Sequence, residues 1–308
     1  MIYTVTLNPS IDYVMFTSQF ELGALNRAAA TYKFAGGKGI NVSRVLKEHG
    51  VDSVALGFTG GFPGKFIEHE LIESGIQTAF VNVDGDTRIN VKLKGGSETE
   101  INAPGPEVTK AQEAAFLAQL EQLTGDDLVI ISGSVPGTLD QTIYSKIAQR
   151  CTDRDVKFVV DAEKELLDSV LSYGPEFVKP NKVELEEMFG ETLDNDTSIT
   201  QCARKLMAKG AKQVLVSLGG DGALLVTDTL VLKAVVPSGR VINTVGSGDS
   251  TVAGMIAGLA NNESLEDSFR RAVASGTATA FTEDLAQQHD IDKIMEQITI
   301  TTLMEAKE

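Results

Sequence analysis

Cysteine and histidine are scarce in this chain, with two and three among 308 residues. Cys151 and Cys202 lie far apart, which excludes a disulfide framework and fits a reducing compartment. So few cysteines and histidines give a zinc site little to draw on. No stretch approaches the ~20 apolar residues that a membrane-spanning helix needs. No basic segment with a cleavage site opens the chain, so no secretory signal is expected and a cytoplasmic protein is. Positive charge is also in deficit: 27 Lys+Arg face 43 Asp+Glu, a net charge of −16. A surface of that sign repels nucleic acid and anionic membrane, and excludes both as partners. No internal repeat, low-complexity tract or linker interrupts the chain. Its length and 42% apolar content suit one large α/β domain or two small ones.

Strand-like and helix-like segments alternate over most of the length, which predicts a mostly parallel sheet flanked by helices. Expected strands are Ile2–Leu7, Val54–Phe58, Leu128–Ser132, Lys157–Asp161, Phe177–Lys179 and Gln213–Ser217. Expected helices lie between them, with two more at Thr251–Leu259 and Leu265–Thr282. Asp12–Phe20 with Ala28–Phe34, and Thr87–Lys94 with Glu98–Ile101, read as strands without intervening helices. The turn Lys94-Gly95-Gly96-Ser97 predicts a hairpin in the second pair. These segments predict a β flap, a lid or dimer contact formed by about 12–34 and 86–102, or else an edge extension of the sheet.

The run Asn243-Thr244-Val245-Gly246-Ser247-Gly248-Asp249-Ser250 concentrates the chemistry. Gly246 and Gly248 allow a tight turn with bare N–H groups, and the small apolar run after it reads as a buried helix starting near Ser247. The first N–H groups of a helix lack internal partners and carry partial positive charge, so the turn can cradle an anion. Asp249 inside it is either a capping residue or a base aimed at a bound hydroxyl. An anion hole beside a carboxylate equips a chain to move a phosphoryl group onto an alcohol. An aspartate of ordinary pKa, about 4, is expected there.

Other motifs carry weaker signals. Ala35-Gly36-Gly37-Lys38-Gly39-Ile40-Asn41 is not a Walker A loop, because Gly39 follows the lysine where Ser or Thr would stand. It still allows close backbone approach with an ammonium to hand, or it is a plain strand–helix turn. Asp12, after the first strand, is placed to bind sugar hydroxyls or to form an Asx-turn. Alternation puts Arg88, Asn90 and Lys92 on one face of the flap, where Arg88 could fork onto a phosphate or be solvated. Asn181 and Glu184, three apart, read as a helix cap or as organisers of Mg²⁺. Ser217 to Gly222 is a glycine-rich strand end over which a nucleotide could lie. No Gly-x-Gly-x-x-Gly follows the first strand, which excludes a nicotinamide dehydrogenase of the usual kind.

The order of these motifs resembles the PfkB (ribokinase-like) sugar kinase family along nearly the whole chain. Gly36 to Arg44 and Asn243 to Met255 match its two signatures. Thr6 to Asp12, Thr87 to Val91, Ser132 to Pro136 and Lys179 to Asn181 resemble its phosphosugar branch. The resemblance implies a single ribokinase-like domain over 1–308, an α/β fold with a central mostly parallel sheet flanked by helices and a small β-sheet lid. It implies ATP and Mg²⁺ as cofactors and fructose 1-phosphate or a related phosphosugar as the partner, phosphorylated at its 6-hydroxyl. Tagatose 6-phosphate is the alternative substrate, and a non-catalytic sugar-phosphate sensor the alternative of another class. By the same resemblance Asp249 is the catalytic base, with Gly246, Ser247 and Gly248 forming the anion hole. Lys179, Asn181, Ser217, Leu218, Gly219, Gly220, Asp221, Gly222 and Gly248 would hold ATP. Asp12, Gly36, Gly37, Lys38, Asn41 and Arg88 would hold the phosphosugar, with Glu184 reaching the metal through water. A homodimer through the lid is a further expectation. The chain departs from relatives at Ser247, often alanine, and at Asp161-Ala162-Glu163, where a serine or glycine pair often follows the aspartate.

Overall fold

The computed structural model describes residues 1–305 apart from Gln19 and Gly96. Those two positions, one in an expected strand and one in the expected hairpin turn, therefore lie outside the described residues. The strands of the first half are β1 (Ile2–Thr6), β2 (Ser10–Phe16), β3 (Ala30–Gly36), β4 (Ser53–Thr59), β5 (Gln77–Thr78), β6 (Val81–Asn82), β7 (Arg88–Gly95) and β8 (Ser97–Ile101). Those of the second half are β9 (Leu128–Ser132), β10 (Lys157–Asp161), β11 (Val214–Ser217), β12 (Ala223–Val226), β13 (Leu230–Val235) and β14 (Thr299–Glu305). The helices are α1 (Lys38–Glu48), α2 (Gly61–Glu73), α3 (Lys110–Leu120), α4 (Ile143–Asp153) and α5 (Lys164–Asp168), then α6 (Lys182–Phe189), α7 (Asp196–Ala208), α8 (Ser247–Ala260), α9 (Leu265–Ala280) and α10 (Gln288–Met295).

The central sheet runs β10-β9-β1-β4-β5, all parallel, with β6 also on β4. Its strands are nearly continuous apolar runs, as expected where both faces are covered. Val129, Ile131 and Val160 point into one core with Phe116 of α3 and Tyr144 of α4. Ile130 and Val159 point the other way, against Val45 of α1, Met255 of α8 and Phe269 of α9. Beyond β10 the antiparallel strands β11-β12-β13-β14 extend the layer.

The segment Phe177–Lys179, expected as a strand, makes only isolated bridges from Val178 to Val160 and to Val214. Pro175 and Pro180 flank it, and proline has no N–H for a ladder. Val178 thus joins the parallel and antiparallel parts through one residue. Helices α5 and α10 and strands β5, β6 and β14 are absent from the expected elements. β14 is largely exposed along its length, so it lacks the alternation that marks a half-buried strand.

The flap segments form one four-stranded sheet, β3-β2-β7-β8, apart from the main sheet. Its strands pair β2 with β3 antiparallel and β2 with β7 parallel. Ile11, Ala35 and Ile89 on one face rest on Ile67 and Leu71 of α2. Asp12, Val14, Phe16, Tyr32, Phe34 and Lys92 line the opposite face.

Helix α8 is buried from Asp249 through Gly258, which suits a sequence apolar all round. It packs on α9 through small residues. A Cβ on Gly254 would lie 2.6 Å from Ser275 Oγ and 2.8 Å from Ala272 Cα, and one on Gly258 would lie 2.6 Å from Ser268 Cα. Gly258→Ala should therefore destabilise the protein: overpacking costs about 1–3 kcal/mol, less about 1 kcal/mol of helix propensity gained over glycine. Urea unfolding measures it, and a raised midpoint would refute this account of the packing.

Candidate active site

Parallel strands present their carboxyl ends on one side of the sheet, where ligands collect in α/β folds. Here Thr6, Ser132 and Asp161 end β1, β9 and β10 side by side in register. Two helices start above them. Gly37 caps α1 with φ 123°, and Gly246 caps α8 in the left-handed conformation, φ 80°. A Cβ on Gly37 would sit 2.6 Å from Thr6 Cγ2, so only glycine brings Lys38 over the strand end. The flap face carrying Asp12, Asn90 and Arg88 closes the other side. Together these elements enclose a cavity of about 610 Å³.

Asp249, in the first turn of α8, is 5% exposed and accepts a hydrogen bond at Oδ2 from Asn41 Nδ2 at 2.8 Å. The N–H groups of Gly248 and Asp249 lie in the first turn, where no intrahelical carbonyl is available to them. Lys179 reaches beneath this turn: a Cβ on Gly248 would lie 3.0 Å from its Nζ. The helix start and the ammonium together make an anion site beside the carboxylate.

Asp161 is the second buried carboxylate. Its Oδ1 lies 3.3 Å from Lys179 Nζ and its Oδ2 3.6 Å from Lys38 Nζ. Burial alone would raise the pKa of Asp161, but the two ammoniums overcome it and hold the carboxyl below its ordinary range. The opposite holds for Asp249. Burial, with the Asp161 charge adding to it, pushes its pKa up to about 6, against the lowering effects of Lys38, Asn41 and Lys179. The ordinary pKa expected from sequence is thus corrected upward, because desolvation penalises the charged form.

The flap side has its own polar network. Asp12 Oδ1 accepts from Ser10 Oγ at 2.8 Å and from Asn90 Nδ2 at 3.2 Å, and Asp12 Oδ2 lies 3.1 Å from Lys92 Nζ. Arg88 donates to the carbonyls of Asn8 and Ala103 at 2.9 and 3.3 Å, while its buried Nε has no partner among the described residues.

The model of the pfkB family carbohydrate kinases matches residues 5–290. The chain belongs to this family. It is 46% identical over 303 residues to a 1-phosphofructokinase of Bacillus subtilis, covering 98% of this chain and 100% of that one. It is 34% identical over 304 residues to a D-tagatose-1-phosphate kinase of Bacillus licheniformis, covering 98% and 100%. The solved structure of a Staphylococcus aureus homologue superposes with a TM-score of 0.91 at 58% identity, covering 99% and 100%. The architecture is the ribokinase-like one of these carbohydrate kinases, and the chain is a phosphotransferase.

For a carbohydrate kinase the placement of the expected residues is informative. Asp12, Gly37, Lys38, Asn41, Arg88, Lys179, Asn181, Glu184, Ser217, Gly246, Gly248 and Asp249 all line the one cavity. Gly36 stands behind it, where a Cβ would meet Asp12 Cγ at 2.8 Å. Ser247 is adjacent, its N–H turned to the Thr244 carbonyl and its Oγ without a partner among the described residues. Leu218 to Gly222 continue from Ser217 into a short turn outside the cavity wall. Asn41, expected on the sugar, bonds Asp249 directly. Lys38, expected beside Arg88 on the sugar phosphate, pairs with Asp161. Asn181 and Glu184 form a reciprocal cap at 2.8 Å each way. Thr6, Asn8, Ser132 and Asp161 stand in motifs that the sequence shows, but none of them was given a role at the site, although each ends or follows a strand at its carboxyl end, which was the available signal.

Removal of the Asn41 amide should raise the Asp249 pKa further, since that bond favours the charged form. Asn41→Ala should move the acid limb of the kcat/KM–pH profile, which reports the free enzyme, upward from about 6 and lower kcat by about tenfold or more, the worth of one hydrogen bond to a charged group. An unmoved limb would refute the contact's role. A second outcome follows by linkage. The folded state holds the Asp249 proton up to about pH 6, whereas the unfolded chain releases it near pH ~4. Burial of the carboxylate therefore lowers stability as pH rises through that window. Asp249→Asn should raise Tm above the window and change it little below, and a pH-independent difference would contradict the assignment.

Proposed function

We propose that the chain transfers the γ-phosphoryl group of ATP to the 6-hydroxyl of fructose 1-phosphate, giving fructose 1,6-bisphosphate. The observation that carries this reading is Asp249, buried in the first turn of α8 beside the Gly248 N–H and facing a cavity whose far wall is a polar, cationic flap. Relatives named for sugar 1-phosphates over the full chain length support it. Asp249 accepts the proton of the 6-hydroxyl, oriented by Asn41. A base of pKa about 6 is mostly ionised at neutral pH and a stronger proton acceptor than an ordinary aspartate. The N–H groups at the start of α8, with Lys179 and Lys38, meet the charge on the transferring group and its leaving oxygen. Asp12 and Asn90 hold sugar hydroxyls, and Arg88 meets the phosphate already present, its fork fixed by two carbonyls.

Nucleotide binding falls to Lys179, Asn181, Gly248 and the strand end from Ser217 to Gly222. Among the described residues no group of three His, Cys, Asp or Glu side chains is arranged to hold a metal. That fits Mg²⁺, which keeps waters and binds through phosphates with one or two carboxylates. Glu184 is the carboxylate placed for it: Oε2 accepts from Asn181 N–H, and no hydrogen bond among the described residues uses Oε1. The ion would neutralise phosphate charge there.

Tagatose 1-phosphate, epimeric at C4, keeps the phosphate at the same end as fructose 1-phosphate, whereas tagatose 6-phosphate reverses it. ADP release should be fastest with fructose 1-phosphate when these three sugars and fructose 6-phosphate are assayed in parallel. Preference for a 6-phosphate would overturn the reading. Arg88→Ala should raise KM for fructose 1-phosphate by about tenfold or more, from about 1.5–3 kcal/mol for a charge-assisted contact. Free fructose should show no such loss, and equal penalties would remove Arg88 from the phosphate.

The flap is proposed as a lid and as a dimer contact. The face that carries Asp12 also carries Phe16, Tyr32 and Phe34, with ring centroids 5.8 and 6.4 Å apart along the series, and Tyr32 is half exposed. A small sheet with an apolar face is marginal unless covered, and closure excludes water from the phosphoryl group. Hydrogen exchange in residues 86–102 should slow when fructose 1-phosphate binds, while β1 stays unchanged. Light scattering should give a dimer, and a monomer at micromolar concentration would remove the contact role.

A further inference from the structure

Thr6, Ser132 and Asp161 form a buried row across β1, β9 and β10 that nonetheless lines the cavity. The Thr6 and Ser132 hydroxyls have no hydrogen-bond partner among the described residues. Asp161 differs from them in being doubly engaged, one lysine on each carboxylate oxygen. Those lysines come from separate parts of the chain. Lys38 opens α1 beside the sugar-binding loop, and Lys179 follows the Val178 bridge beneath the start of α8. Two flexible ammoniums next to one buried base have an obvious competing fate, which is to collapse onto Asp249 and neutralise it. A second carboxylate prevents this if it holds both of them in place.

We propose that Asp161 is a positioning residue for phosphoryl transfer, its two oxygens holding Lys38 on the sugar side and Lys179 on the nucleotide side of the transferring group while keeping both off Asp249. The proposal rests on the kinase reading above but not on which sugar is bound. In the step it serves, the 6-oxygen forms a bond to the γ-phosphorus and its proton passes to Asp249. The bond from γ-phosphorus to the bridging oxygen breaks, and its electron pair leaves with ADP. The charged groups facing Asp249 are Asp161 from β10, Lys38 from α1 and Lys179. Asn41 of α1 adds one neutral donor, while Glu163 and Glu184 stand further along the cavity wall. Helix α9, packed on the other side of α8, presents Gly276 and Thr279 to its first turns, and neither titrates. Of this set Asp161 is the anion that raises the Asp249 pKa.

Two variants separate charge from position. Asp161→Asn keeps the shape and removes the charge. It should lower kcat by about tenfold or more, the scale of one lost charge-assisted contact, with smaller changes in KM for either substrate. Its acid limb should move to lower pH, a shift that partial misfolding would not produce. Asp161→Glu keeps the charge but displaces the carboxylate by one methylene, so the limb should stay while kcat remains about tenfold down. Wild-type kcat in either variant, or an unmoved limb in Asp161→Asn, overturns the proposal. If Asp161→Asn does not fold, as judged by circular dichroism, Asp161→Glu decides alone. A wild-type enzyme that turns over a different phosphosugar overturns the sugar assignment only, and Asp161 is then judged on that sugar. No ADP release with any phosphosugar overturns both.

Discussion

A helix that is apolar all round has to be buried, yet α8 begins at a cavity and carries a carboxylate in its first turn. Both conditions are met because α8 is clamped lengthwise. Gly254 and Gly258 bring it against α9 with no room for a methyl group, and Gly246 turns the chain into it against Leu285. A helix so held cannot slide or rotate, so the N–H groups at its start and the Asp249 side chain are fixed relative to the sheet. Preorganisation of this kind is what lets a helix start act on developing charge without reorganising.

The remaining cost is electrostatic. An unpaired buried carboxylate is expensive, and Asp249 lies close to a second one. The structure offsets this with two ammoniums and one amide, leaving a base that still takes a proton near neutrality. The same arrangement answers how a chain of net charge −16 can receive two phosphorylated ligands. Exposed charges more than about 10 Å away are screened by salt, while Lys38, Lys179, Arg88 and Lys92 converge on the cavity. Lys38 and Lys179 share Asp161 and Lys92 pairs with Asp12, so these ammoniums are already placed before a ligand arrives.

Much of this was legible in the sequence. The strand–helix alternation predicts the central sheet, and the helix-free stretches predict the four-stranded flap. Gly246, Gly248 and Asp249 announce the anion turn through local backbone chemistry, which a sequence shows well. What it does not show is who meets whom across long separations. Asn41 reads as a sugar ligand, and its bond to Asp249 shows only once α1 is seen lying against α8. Lys38 reads as a partner of Arg88, and its pairing with Asp161 beside Lys179 shows only in the fold. Asp161 itself looks like the end of an ordinary apolar strand. Val178 reads as part of a strand because its neighbours are apolar, and only the flanking prolines limit it to a bridge. Helix α10 is amphipathic but only eight residues long, two turns being too few to read with assurance, and the exposed strand β14 lacks the alternation of a half-buried one.

The tight turn into α1 has a consequence for anyone mapping this enzyme by saturation mutagenesis. A Cβ on Gly39 would lie 2.5 Å from Thr6 Oγ1 and 2.6 Å from the Val5 carbonyl oxygen, although Gly39 is not among the residues that line the cavity. Any side chain there would press α1 away from β1, for a reason of volume alone. A map of intolerant positions would therefore draw a false extension of the active site into the seam between α1 and β1. Only kinetics of the surviving folded fraction would tell the two kinds of intolerance apart.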